Sequence, residues 1–148
     1  MLFNLISQIE DRKSVLYVDF DYPEFLDFDG RNIKDLVDLH LQLFGKLKYI
    51  YFDEIQNIKN WERGLRELYE MKKYHIFVTG SSAKLMIKEL ATQLRGRTIT
   101  YHLFPLSLRE FLSIKNIDIS EKLLTSEEKN KILFGFNNYF DSGGYPQV

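Results

Sequence analysis

The chain has no cysteine, which excludes a disulfide framework and any thiolate-ligated metal. That absence fits a reducing compartment, and a cytoplasmic location is the expectation. Lysine and arginine number 20 against 21 aspartates and glutamates, a net charge of −1. Such a balance supplies no electrostatic drive toward nucleic acid or an acidic membrane. No apolar run approaches the length of a membrane span, and the first residues lack the basic-then-apolar layout of a signal peptide. There are only 3 prolines, no low-complexity stretch and no internal repeat. What the 148 residues do contain is 45% hydrophobic and 28% charged side chains, the proportions of an ordinary globular domain.

Hydrophobic periodicity predicts an alternation of helices and strands. Leu2, Leu5, Ile6 and Ile9 recur at helical spacing, and Val15-Leu16-Tyr17-Val18-Asp19-Phe20 reads as a buried strand. A helix over Ile33 to Phe44 ends at Gly45, and the strand Tyr49 to Asp53 follows. Trp61, Leu65, Leu68 and Tyr69 mark a third helix, with Trp61 read as core packing. His75 to Val78 is the next strand, Ala83 to Leu94 a helix, and Arg97 to Leu103 alternates like a fourth strand. Ser107 with Glu110, and Thr125 with Glu128, have capping-box spacing; the second helix should stop at Gly143-Gly144. The order argues for an α/β fold, a parallel sheet with helices on both faces, ending in helices. Ligands of such sheets bind at the carboxyl ends of the strands, where Asp19, Asp53, Glu54 and Thr79 fall.

Two of these strand ends carry the chemistry. Tyr49-Ile50-Tyr51-Phe52 delivers the adjacent carboxylates of Asp53 and Glu54. A hard cation such as magnesium prefers oxygen ligands, and Asp53 could hold one through water; Glu54 could orient or deprotonate an attacking water. The plainer reading is that Asp53 caps the next turn and Glu54 is solvated. Ile76-Phe77-Val78 delivers Thr79-Gly80-Ser81-Ser82, whose hydroxyls could meet a phosphate oxygen or simply serve turn chemistry, with Ser82 as an N-cap. Arg95-Gly96-Arg97 places two guanidiniums around a glycine, a pattern suited to phosphate. His40, His75 and His102 lie on separate elements without ligand spacing.

Ile50-Tyr51-Phe52-Asp53-Glu54-Ile55-Gln56-Asn57, with Trp61-Glu62 beyond it, resembles the Walker B region of a family of prokaryotic AAA-type P-loop ATPases. Val78 to Ala83, Leu94-Arg95-Gly96-Arg97, Phe104 to Phe111 and Gly143-Gly144-Tyr145-Pro146 resemble further blocks of that family in the same order. The resemblance implies ATP and magnesium as cofactors. Asp53 would be the magnesium-associated acid, Glu54 the catalytic glutamate, and Thr79, Ser81 or Ser82 the sensor of the γ-phosphate. Arg95 or Arg97 would complete a neighbouring subunit's site, which implies a homo-oligomer. Residues 1–104 would form a partial ATPase core, and 105–148 a helical extension leading toward a carboxyl-terminal domain.

One block of the family pattern has no counterpart. Nowhere in the sequence does Gly-x-x-x-x-Gly-Lys-Ser/Thr occur; Gly45-Lys46 is followed by Leu47 and closes a helix instead of opening one. That loop cradles phosphates with backbone N–H groups, so weakened phosphate binding and impaired hydrolysis are expected. In the family, the strand before that loop lies between those bearing Thr79 and Thr98. Here the gap would close by direct pairing, be filled by a partner's strand, or mark a truncated product. Two other readings compete: a non-catalytic remnant or protein-interaction module, and a receiver-like signalling domain built on Asp19, Asp53 and Thr79. The second lacks the expected lysine near His102-Leu103-Phe104-Pro105.

Overall fold

A computed structural model describes residues 2–81, 98–117 and 125–145 of the chain. Helix α1 (Leu2–Ser7) leads to strand β1 (Val15–Asp19), helix α2 (Asn32–Phe44), strand β2 (Tyr49–Asp53), helix α3 (Trp61–Glu70) and strand β3 (His75–Val78). Helices α4 (Leu108–Ile114) and α5 (Ser126–Ser142) follow. Residues 1–100 and 101–148 form two compact units.

In the first unit the three strands are parallel in the order β1-β2-β3, with β2 central. Successive side chains of a strand point to opposite faces, and the register stacks like parity with like. Leu16, Ile50 and Ile76 form one row, and Val18, Phe52 and Val78 the next. These apolar rows pack with Ile33 and Val37 of α2 and with Trp61, Leu65 and Leu68 of α3. Phe52, Ile50 and Ile33 are fully enclosed. Burying a side chain of this kind contributes about 2 kcal/mol each. The other face carries Val15 and Tyr49, then Tyr17 and Tyr51, against Leu2, Ile6 and Ile9 at the amino-terminal end. Here the rings run across the sheet: Tyr51 stacks on Phe77 at 4.7 Å and Tyr49 on His75 at 5.3 Å. The expected parallel sheet with helices on both faces is what the structure contains.

Gly45 ends α2 as expected, with φ at +70° and its N–H on the Leu41 carbonyl. Gly30 and Gly64 serve close packing: a Cβ on Gly64 would fall 2.1 Å from the Gly30 carbonyl oxygen. The turn before α2 and the first turns of α3 therefore meet backbone to backbone, and Gly30 N–H bonds the Lys59 carbonyl at 2.8 Å.

Of the fourth strand expected over Arg97 to Leu103, the described residues 98–103 form no strand. Residues 98–103 have no strand partner, and Ile99, Tyr101 and Phe104 are each about four-fifths exposed. Alternating side chains become a strand only where an edge offers unpaired N–H and C=O groups. Among the described residues the sheet has three strands. The expected helix over Ala83 to Leu94 lies outside the described residues.

In the second unit both capping boxes form. Ser107 caps α4 and Thr125 caps α5, each receiving the N3 amide while Glu110 or Glu128 bonds back to the cap. Gly143, at φ +65°, closes α5, and Tyr139 donates its hydroxyl to the Leu106 carbonyl at 3.0 Å.

The glycine contact predicts the sign of a substitution. Gly64→Ala raises intrinsic helix propensity, yet the overlap with Gly30 should outweigh it and destabilise the first unit by about 2 kcal/mol, read as a lower urea midpoint. Thr125→Ala should cost about 1 kcal/mol in the same measurement.

Candidate functional site

The row that continues Tyr17, Tyr51 and Phe77 toward the carboxyl ends is polar. Asp19 pairs in register with Asp53, and Thr79 follows β3 directly, its N–H on the Phe52 carbonyl at 2.9 Å. Asp53 is half-buried and does not cap the next turn. Its carboxylate instead accepts two hydroxyls from its own sheet. Tyr17 donates to Oδ2 at 3.0 Å, reaching one step diagonally from β1, and Thr79 donates to Oδ1.

Tyr17 was not singled out by sequence reading. The signal was available: it precedes Asp19 by two residues and so shares the face of the acids. Burial pushes its phenol well above the ordinary tyrosine value, reinforced by the hydrogen bond to Asp53 and the negative charges of Asp53 and Asp19.

After Asp53 the chain breaks from the sheet. Glu54 adopts the left-handed conformation, φ 50° and ψ 43°, which an L-residue with a side chain rarely takes. Holding it there costs on the order of 1 kcal/mol, a strain that concentrates at functional positions. The Glu54 N–H bonds the Thr79 hydroxyl at 3.3 Å, so one threonine serves both acidic residues. A single 3-10 turn, Ile55–Asn57, comes next, pinned by buried Ile55 and by its N–H on the Thr79 carbonyl at 3.2 Å. Gln56 donates its side-chain amide to Glu54 Oε2 at 2.5 Å and to Ser81 Oγ at 3.2 Å. Asn57 reaches the other way, to the Phe20 carbonyl and Asp21.

The structure thus brings together Asp53, Glu54, Thr79 and Ser81. Asp19 stays beside them without joining the network: its Oδ1 accepts the Asp21 amide. Ser82, Arg95 and Arg97 lie outside the described residues. The three histidines are dispersed. His40 is buried with Nε2 3.0 Å from the Lys13 carbonyl oxygen, His75 stacks on Tyr49, and His102 stacks on Phe104.

The donor set suits a hydrated cation better than a directly ligated one. Among the described residues no cluster of three or more His, Cys, Asp or Glu could hold a metal ion. Asp53, with each oxygen already engaged by a hydroxyl, retains lone pairs for a water in a magnesium shell. The hydroxyls of Thr79 and Ser81 suit phosphate oxygens, and the Glu54 carboxylate suits a water proton.

The profile of the AAA domain matches residues 1–112, which takes in the whole sheet and all of these groups. The chain belongs to the AAA domain family. Similar proteins include "Uncharacterized protein MJ1544" of Methanocaldococcus jannaschii, 33% identical over 147 residues, covering 99% of this chain and 32% of the relative. An "Uncharacterized protein" of Haemophilus influenzae is 31% identical over 137 residues, covering 92% and 32% respectively. This AAA domain chain therefore spans about a third of the length of those curated relatives. No described helix of it is long and apolar enough to cross a membrane.

The Tyr17 environment gives this AAA domain a pH signature. A phenol harder to ionise in the fold than in the unfolded chain leaves stability intact below pH 10.0 and erodes it as pH rises beyond that value. Unfolding free energy should therefore fall above about pH 10, and Tyr17→Phe should flatten that decline in denaturant titrations across the alkaline range.

Proposed function

We propose that this chain carries the water- and magnesium-handling side of an ATP-hydrolysing site. In this reading Asp53 holds magnesium through water and Glu54 polarises the attacking water. Thr79, with Ser81 or Ser82, contacts the γ-phosphate. Arg95 or Arg97 reaches the site of a neighbouring copy, which makes a homo-oligomer the expected assembly and the cytoplasm its expected location. The observation that carries the reading is the sharing of the Thr79 hydroxyl between the Asp53 carboxylate and the Glu54 amide. That contact joins a cation-handling group, a water-handling group and a phosphate-sensing group at adjacent strand ends.

The missing Gly-x-x-x-x-Gly-Lys-Ser/Thr loop sets the expected strength. A phosphate chain held without its backbone cradle and lysine binds weakly, and turnover by these 148 residues is expected to be impaired. A second reading, a non-catalytic remnant or interaction module, draws on that absence and on the in-chain hydrogen bonds to both Asp53 oxygens.

Titration with a fluorescent ATP analogue, with and without magnesium, separates the two. The hydrolase reading expects saturable, magnesium-dependent binding that weakens in Asp53→Asn. It also expects Glu54→Gln to retain binding while losing about 100-fold in turnover. A flat titration up to millimolar nucleotide, or equal binding by Asp53→Asn, sinks it in favour of the remnant.

A further inference from the structure

Gln56 carries an unusual combination of contacts. Its amide nitrogen donates at once to Glu54 Oε2 and to Ser81 Oγ, while its amide oxygen is buried and, among the described residues, meets no donor. A carboxylate can only accept, so the NH2 end must face Glu54 and the oxygen must point away from it. The orientation of the amide is thus fixed by chemistry. The turn that bears it is equally fixed, with Ile55 and Ile58 buried on either side and Asn57 N–H on the Glu54 carbonyl at 3.0 Å. Glu54 itself has a long side chain with many rotamers, and no other described side chain donates to its carboxylate. Buried polar atoms that lack a protein partner are ordinarily met by water.

We infer that Gln56 is the positioning residue of this site: its amide aims the Glu54 carboxylate and ties it to the Ser81 hydroxyl, and its oxygen accepts from a water beside them. This rests on the reading of Glu54 as the water-polarising group. The consequence is a coupling between two strand ends. Displacing Ser81, as contact with a phosphate would, loosens the amide that aims Glu54.

The test has a spectroscopic arm and a kinetic arm. In the 15N-labelled chain the Gln56 side-chain NH2 signals should move to free-amide positions in Glu54→Ala. The Ser81 backbone amide should shift in Gln56→Ala. Gln56 signals indifferent to Glu54→Ala overturn the inference. In hydrolysis assays Gln56→Ala should lower kcat about tenfold at unchanged KM. Gln56→Glu, which replaces the donating amide with a second carboxylate facing Glu54, should lower kcat at least as far. An unchanged kcat, or an effect on KM alone, overturns the positioning role. If the unsubstituted chain shows no turnover, the nucleotide titration decides the hydrolase reading and the amide spectrum alone decides whether Gln56 holds Glu54.

Discussion

The in-register parallel pairing of β1, β2 and β3 is the constraint on which the molecule depends. Because Val15, Tyr49 and His75 start level, every later row is level too, and parity alone decides what each row faces. Even-numbered residues of β2 meet α2 and α3 in a dry core. Odd-numbered ones form an aromatic face that ends in Asp53. A slip of one residue would carry Asp53 into the core and Phe52 to the polar rim. The apolar core and the polar site are therefore specified by the same pairing.

That coupling explains how much of the fold was legible. The bounds of β2 and β3 are the predicted ones, because dense β-branched and aromatic runs there are bounded by polar or turn-forming residues. The ends of α2 and α5 were marked by Gly45 and Gly143, and the starts of α4 and α5 by Ser107 and Thr125 with their glutamates. The fourth strand failed for a reason no local pattern carries. Ile99, Tyr101 and Leu103 alternate correctly, but alternation does not say which neighbour, if any, a segment will pair with.

The site divides along the same line. Asp53, Glu54, Thr79 and Ser81 could be placed together because strand order puts successive parallel strands side by side. Tyr17 and Gln56 were missed because their parts depend on reach. A tyrosine reads as core until a diagonal neighbour takes its hydroxyl, and a glutamine after two acids reads as a solvated turn. Nor does sequence spacing reveal that Glu54 takes a left-handed turn, which swings its carboxylate back over Gln56.

The outer side of β3 has a consequence for handling the protein. Among the described residues no strand lies beyond it, and Phe77 is more than a third exposed. A short apolar edge with unmet amides is a template for intermolecular β-pairing, the first step toward aggregation. Lys72 and Lys73 stand just ahead of the edge, where like charges on two approaching copies repel. High salt, by screening those charges, weakens that repulsion.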